Sequence, residues 1–376
     1  MRRLPPLSLY IHIPWCVQKC PYCDFNSHAL KGEVPHEEYV RHLLADLDDS
    51  MALVAGREVS SLFIGGGTPS LLSAEAMQSL LDGVRQRLTL SADAEITMEA
   101  NPGTVEADRF RGYQQAGINR ISIGVQSFDA EKLQRLGRIH GADEARRAAR
   151  LAQGLGLRSF NLDLMHGLPN QSPEQALDDL RSAIELEPPH LSWYQLTIEP
   201  NTLFASKPPV LPDDDALWDI YQLGHQLLSQ AGYQQYETSA YAKAGYQCQH
   251  NLNYWRFGDY LGIGCGAHGK MTAENGEVIR TVKVRHPRGY MQGNYLDKKY
   301  QVAADDLPFE FFMNRFRLFE ATPREQFQAF TGLAESTVRQ ALDQALADGY
   351  LTESATHWQT TRKGQLFLNP LLELFM

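Results

Sequence analysis

Three cysteines, Cys16, Cys20 and Cys23, fall within eight positions near the start of the chain. Spacings of four and three residues let three thiolates converge from one loop on a compact cluster. Iron–sulfur clusters are held by such thiolates. A [4Fe–4S] cluster bound by three cysteines keeps one iron without a protein ligand, and an open iron is a place for chemistry. A second reading is zinc, completed as a Cys3His site by His12 or His28. Structural zinc usually draws on a second cysteine pair further along, and none follows. Free thiols are the third reading. The chain holds five cysteines, an odd number, which points to metal or redox chemistry in a reducing compartment and away from a secreted disulfide framework.

The elements that must position these cysteines follow a simple rhythm. Apolar, β-branched or aromatic runs recur at 7–13, 61–64, 95–99, 120–125, 159–165 and 190–198. Helical spacing fills 37–53, 74–88, 104–116, 142–155 and 173–186 between them. Strands alternating with helices read as βα units on a parallel sheet. The strand starts lie roughly 25 to 50 residues apart, enough for right-handed helical crossovers. The expected architecture is α/β, a partial six-unit (β/α) barrel over residues 1–235, with the cysteine loop at the C-terminal mouth of its strands.

The strand ends carry a second set of candidates. The second strand ends in Gly65-Gly66-Gly67-Thr68-Pro69 and the third at Glu99-Ala100-Asn101-Pro102. The fourth carries Gln126, and the fifth contains Asp163. Polar and glycine-rich residues therefore collect at the edge where α/β barrels and open α/β sheets bind ligands. Glycines let a backbone approach a ligand closely. Asp163 sits in an apolar strand, and a buried carboxylate needs partners.

Beyond the break at Pro208-Pro209 a further helix is expected over 216–231. The stretch 236–305 reads as an irregular connecting region rich in glycine, tyrosine and histidine. Residues 306–376 show a helix over 335–347 and two short strands at 350–353 and 358–361, a winged-helix-like pattern. The would-be recognition helix carries Glu335, Asp343 and Asp348 against one Arg339. Phosphate neutralisation needs Lys and Arg, so the module reads as a structural domain or one that covers the barrel mouth.

The Cys-x3-Cys-x2-Cys loop after a first strand, with the glycine run about forty residues later, resembles the radical S-adenosylmethionine (SAM) superfamily. The resemblance implies a [4Fe–4S] cluster on Cys16, Cys20 and Cys23. Its open iron would chelate the amino and carboxylate groups of SAM, and one electron would cleave the sulfonium to a 5′-deoxyadenosyl radical. The string Tyr10-Ile11-His12-Ile13-Pro14-Trp15-Cys16, with Gly124-Val125-Gln126-Ser127-Phe128, Arg138 and Asp163, is similar to the oxygen-independent coproporphyrinogen III oxidase group over most of the chain. By that resemblance Tyr10 and the backbone at Tyr22 line the cofactor site. Gly66, Gly67 and Thr68 meet the methionyl end, and Glu99, Gln126, Arg138 and Asp163 fix its carboxylate and ribose. Gly262-Ile263-Gly264-Cys265-Gly266-Ala267 resembles a loop that closes over the adenine in this group.

Two departures separate branches of the group. The oxidases carry a further cysteine where Phe25 stands, and a longer N-terminal segment. The string His250-Asn251-Leu252-Asn253-Tyr254-Trp255 matches instead the HNxxYW motif of the group's haem chaperones. That branch is implied to bind haem and pass it to haem-dependent respiratory proteins. Imidazole is an ordinary axial haem ligand, and Tyr254 and Trp255 offer flat apolar surface to a porphyrin. Oxidative decarboxylation of coproporphyrinogen III is the alternative reading. Cys248 is a conceivable thiolate ligand to haem, though an inert buried thiol is the plainer reading.

The remaining expectations concern partners. Thirty-five Lys and Arg against forty-five Asp and Glu give a net charge of −10, which argues against nucleic acid. Arg2 and Arg3 are followed by Pro5, Pro6, His12 and Pro14, so no signal-peptide core follows them. No run of eighteen apolar residues exists, so no membrane span is expected and the default address is the cytoplasm. Trp15 and residues 366–376 are the candidates for peripheral contact with a membrane-bound client.

Overall fold

Apolar and polar side chains alternate along six parallel strands, and that alternation builds both the core and the lumen. The strands are β1 (Leu7–Ile13), β2 (Val59–Gly66), β3 (Leu90–Ala100), β4 (Arg120–Gln126), β5 (Ser159–His166) and β6 (His190–Gln195). They pair in chain order. Leu9, Ile11, Leu62, Ile64, Met98, Ile121, Ile123 and Leu162 point outward and are fully buried under the crossover helices. Those helices are α1 (His36–Val54), α2 (Ala74–Arg87), α3 (Ala107–Ala116), α4 (Ala130–Arg135), α5 (Ala142–Gly154) and α6 (Pro173–Ile184). Side-chain caps fix their starts: the Ser73 hydroxyl accepts from the Ala76 N–H, and Ser172 with Gln175 closes a capping box. The computed structural model describes residues 4–104 and 107–376. Arg2, Arg3 and positions 105–106 of the helix expected over 104–116 lie outside the described residues.

The stretch expected to be irregular is instead strand-rich. A short α7 (Leu203–Ser206) and α8 (Asp214–Gln230) lead to β7 (Gln234–Glu237) and β8 (Ala240–Ala242). After α9 (Gln249–Trp255) come β9 (Asp259–Ile263), β10 (His268–Thr272), β11 (Val278–Lys283) and β12 (Leu296–Gln301). These strands extend the sheet at both edges, in the order β12-β11-β10-β9-β1-β2-β3-β4-β5-β6-β8-β7. Strand β9 runs parallel to β1, with Leu7 opposite Asp259 and Ile11 opposite Ile263. Buried ion pairs fasten the extension to the barrel. Asp259 accepts from Lys270 at 3.0 Å and Arg57 at 2.7 Å. Asp46 takes the Lys283 ammonium, the Tyr290 hydroxyl and the Gly264 N–H.

The C-terminal region has its own core, in which Phe311, Phe312, Phe316, Phe327, Trp358 and Phe375 pack together. Its small antiparallel sheet runs Thr322–Pro323, His357–Thr360, Leu351–Glu353, and a helix spans Arg339–Ala347, so the winged-helix-like expectation holds. Arg339 is already neutralised by Glu335, Asp343 and Glu353. The region does not cover the mouth of the barrel. Glu325, Gln326 and Phe330 face Pro6, Ser60, Asp93 and Arg158 across a cleft of about 550 Å³, at the N-terminal ends of the strands. Arg256 just after α9 grips Glu320 with two hydrogen bonds of 2.8 and 2.6 Å, and Arg317 reaches Glu237 at 2.7 Å; these contacts dictate that side. Among the described residues, no helix is long and apolar enough to cross a membrane.

Candidate functional site

The cysteine loop leaves β1 and doubles back through a two-residue parallel bridge, Trp15–Cys16 with His28–Ala29. All three thiols are partly exposed, and they line one cavity of about 280 Å³ at the C-terminal ends of the strands. The same cavity is lined by Gly66, Gly67, Thr68, Glu99, Gln126, Arg138 and Asp163, and by Tyr22 of the cysteine loop. The residues expected at this site, Tyr10 and His250 apart, are thus brought to one chamber. The glycine run is a close cradle. Gly67 and Thr68 donate N–H groups to Ile13 and Trp15, both at 2.7 Å. A Cβ on Gly67 would stand 2.5 Å from the Trp15 carbonyl oxygen and 3.1 Å from the Cys16 sulfur. Gly66 adopts φ +117°, a left-handed conformation that favours glycine, and donates its N–H to Glu99 at 3.1 Å.

Hydrogen bonds fix the polar wall. Arg138 donates to Asn101 Oδ1 at 2.5 Å and to the Gly124 carbonyl at 2.8 Å, and its other terminal nitrogen lies 3.6 Å from the Cys20 sulfur. Asp163 accepts from Ser122 at 2.9 Å and Asn161 at 2.8 Å. Gln126, at φ +69°, accepts from the Tyr194 hydroxyl at 2.9 Å. Burial, with Asp163 nearby, pushes the Glu99 carboxyl up to about 8, so it stands protonated at neutral pH and can donate as well as accept. Burial also raises the Cys16 thiol. A cationic ligand or metal centre beside these groups would favour their charged forms. Partly exposed thiols, a cradle with no room for a side chain and an arginine beside Cys20 fit a cluster on the three cysteines with SAM against the glycine wall.

A second chamber, of about 530 Å³, adjoins the first, and Phe25, Gly66 and Glu99 line both. Its inner wall is Tyr10, Phe63, His250, Tyr254 and Tyr260. His250 is buried, its ring 5.1 Å from that of Phe63, and its Nδ1 lies 3.2 Å from the Ser61 hydroxyl. The Nε2 has no hydrogen-bond partner among the described residues. Burial, helped by Arg120, depresses this imidazole to about 3, so the ring is neutral. A tautomer that donates Nδ1–H to Ser61 leaves the Nε2 lone pair on a residue facing the chamber, the form that ligates a metal. The backbone N–H groups of Gln249 and His250 both donate to Glu95 Oε1, at 2.9 and 3.2 Å. That buried carboxylate fixes the start of α9.

Several expectations change here. Tyr10 lies on the wall of the second chamber, its hydroxyl 2.9 Å from His12 Nδ1. His12 donates its other nitrogen to the Asn26 carbonyl at 2.8 Å, and His28 bonds the Arg285 carbonyl at 3.0 Å. Neither imidazole is presented to the cysteines, which disfavours a Cys3His zinc site. Trp255 does not join the chamber wall: it packs on Leu252 and Leu318, with the Arg317 guanidinium 4.5 Å above its ring. Cys248 is fully buried, 3.5 Å from Glu95, and does not line the chamber; burial pushes its thiol up to about 12. Gly266 reaches the second chamber and no residue of 262–267 lines the first. Trp15 is buried edge-on against Tyr39 at 4.7 Å and offers no surface, whereas Leu366, Phe367 and Met376 are exposed. Sequence reasoning missed Ser122, Tyr194, Phe63 and Glu95. All four lie on the inward, alternate face of their strands, which a period-two reading of polar positions would have found.

Comparison with known proteins identifies the family and the fold. The radical SAM superfamily model matches residues 10–183, and the HemN C-terminal domain model matches 302–367. The heme chaperone HemW of Escherichia coli (strain K12) is 76% identical over 376 residues, covering 100% of both chains. That of Haemophilus influenzae is 63% identical over 380 residues, covering 100% of this chain and 99% of the relative. Among solved structures, coproporphyrinogen III oxidase (HemN) from Escherichia coli superposes with a TM-score of 0.84 at 26% identity, covering 100% of this chain and 91% of that one.

Proposed function

The chain belongs to the HemW haem-chaperone family of the radical SAM superfamily, and from that premise we propose that it binds haem in the second chamber and hands it to client haem-dependent respiratory proteins. The observation that carries this reading is His250: a buried neutral imidazole with Nδ1 held by Ser61 and Nε2 without a hydrogen-bond partner among the described residues, in a chamber that shares a wall with the cysteine cavity. Tyr10, Phe63, Tyr254 and Tyr260 give that chamber an aromatic lining suited to a flat tetrapyrrole. Its volume, about 530 Å³, falls in the range of small-molecule and cofactor pockets.

Cys16, Cys20 and Cys23 would hold the [4Fe–4S] cluster, and Gly66, Gly67, Thr68, Gln126, Arg138 and Asp163 would hold SAM. When bound, the pair supplies one-electron chemistry at an open iron. The chain's own residues do the positioning. Arg138, held by Asn101 and Gly124, presents a cation beside Cys20. Glu99 sits on the common wall, where its carboxyl can hydrogen-bond to either side. Phe25 occupies that wall where the oxidase resemblance expects a cysteine.

The test uses anaerobically reconstituted protein. Incubated with SAM, a strong reductant and coproporphyrinogen III, it is expected to leave the tetrapyrrole mass unchanged. Loaded with haem and mixed with an apo-haemoprotein, it is expected to lose its haem to the acceptor. Loss of two carboxyl groups from coproporphyrinogen, or retention of haem, would overturn the reading.

A further inference from the structure

The second chamber has two chemically different ends. Inside are His250 and the aromatic wall; at the rim are Asp24, Asn26, His268 and Arg285. Arg285 is built into the rim through its backbone. Its carbonyl accepts from Asn26 Nδ2 at 3.0 Å, from His28 Nε2 at 3.0 Å and from the Cys265 thiol at 3.2 Å. Its guanidinium has no carboxylate or carbonyl partner among the described residues. The neighbouring Arg280 is committed, donating to the Tyr260 hydroxyl and to Glu310, both at 2.6 Å. Burial and these two arginines lower His268, so Arg285 carries the positive charge at the rim. Among the described residues at the rim, Asp24 is the carboxylate, and it opposes an anion there.

We infer that Arg285 is an anchor for the ligand's carboxylates. Resting on the haem reading above, the chamber takes its tetrapyrrole edge-in, with iron toward His250 and the propionates at the rim on the Arg285 guanidinium. A planar fork of N–H donors matches a carboxylate in geometry as well as charge. The anchor would make the chamber select tetrapyrroles that keep free propionates and would fix which edge enters first.

The experiment compares ferric protoporphyrin IX with its dimethyl ester, titrated into wild-type protein, Arg285→Gln, Arg285→Lys and His250→Ala and followed at the Soret band. The Arg285 side chain is exposed, so its variants are expected to fold; far-ultraviolet circular dichroism and cluster iron check this. Wild-type protein is expected to prefer the free acid over the ester, and Arg285→Gln to lose about tenfold in affinity for the acid, equivalent to about 1.4 kcal/mol. Affinity for the ester should not change, and Arg285→Lys should recover part of the preference. Equal affinities of wild-type protein for acid and ester, or equal losses for both ligands in Arg285→Gln, would overturn the anchor. If His250→Ala alone weakens both ligands, the haem reading survives that result. If His250→Ala binds both as wild-type does, the haem reading fails, and the anchor with it.

Discussion

Glu95 carries a prediction that reaches from the barrel floor to the proposed haem chamber. Its carboxylate is 3% exposed, and one oxygen accepts the N–H groups of Gln249 and His250, with the Cys248 sulfur 3.5 Å away. The cation of Arg120, itself buried, is among the charges nearby. Glu95→Ala would orphan the two N–H donors that start α9, at about 1–3 kcal/mol each, and remove one of several acidic groups around the buried Arg120. About 2–6 kcal/mol is expected in all, a large share of a typical unfolding free energy. Glu95→Gln keeps a carbonyl acceptor for both N–H groups and should retain more of that stability. The assay is urea denaturation, followed by haem titration and by iron and sulfide content of the folded protein. Haem affinity should fall, because α9 no longer sets the His250 ring against Ser61. Cluster content should stay at the wild-type level, because the cysteine loop sits at the other end of the strands. A Glu95→Ala protein with under about 1 kcal/mol lost and an unchanged haem titration would refute the positioning role.

Other substitutions test the first chamber and the buried imidazoles. Gly67→Ala places a methyl against the Trp15 carbonyl and the Cys16 sulfur; we expect about 1–3 kcal/mol of destabilisation and a reduced iron content, and full cluster occupancy would contradict the cradle. Replacing Cys16, Cys20 and Cys23 together by Ala should abolish bound iron and sulfide, since Cys248 and Cys265 are buried away from the cavity; stoichiometric retention would sink the assignment. His166 packs on Trp193 at 4.2 Å, and burial depresses its ring to about 3. The unfolded chain takes up a proton near 6.5 that the folded chain refuses, so stability present above that pH is lost as pH falls toward 3. His166→Phe should remove about 1.4 kcal/mol per pH unit from that slope between about pH 5.5 and 4.5. Identical slopes in urea unfolding would contradict a neutral buried His166.

The cysteine loop and the six barrel strands were legible because their signals are local. Cys16, Cys20 and Cys23 sit in one loop, and the outward residues of each strand form a recognisable apolar run between helices. Residues 236–305 were not legible because their strands are short and their partners distant: Ile263 pairs with Ile11 across some 250 positions. The inward faces were hidden for a different reason. Ser61, Glu95, Ser122 and Tyr194 look like ordinary polar interruptions of a strand until the barrel curls them into one lumen. Trp255 misled in the opposite direction, since an aromatic residue in a motif suggests a ligand surface, while tertiary packing sets it half-buried against Leu252 and Leu318. The side on which the C-terminal region docks follows from Arg256–Glu320 and Arg317–Glu237, pairs separated by about 60 and 80 residues, and no local pattern announces them.

The most direct test of the haem assignment is a titration of ferric haem into reconstituted wild-type protein and His250→Ala, with cluster iron, sulfide and SAM binding measured on the same samples. Wild-type protein is expected to saturate at one haem per chain and His250→Ala to lose about tenfold or more in affinity, with cluster and SAM binding unchanged. Superimposable haem titrations of the two proteins would contradict the assignment.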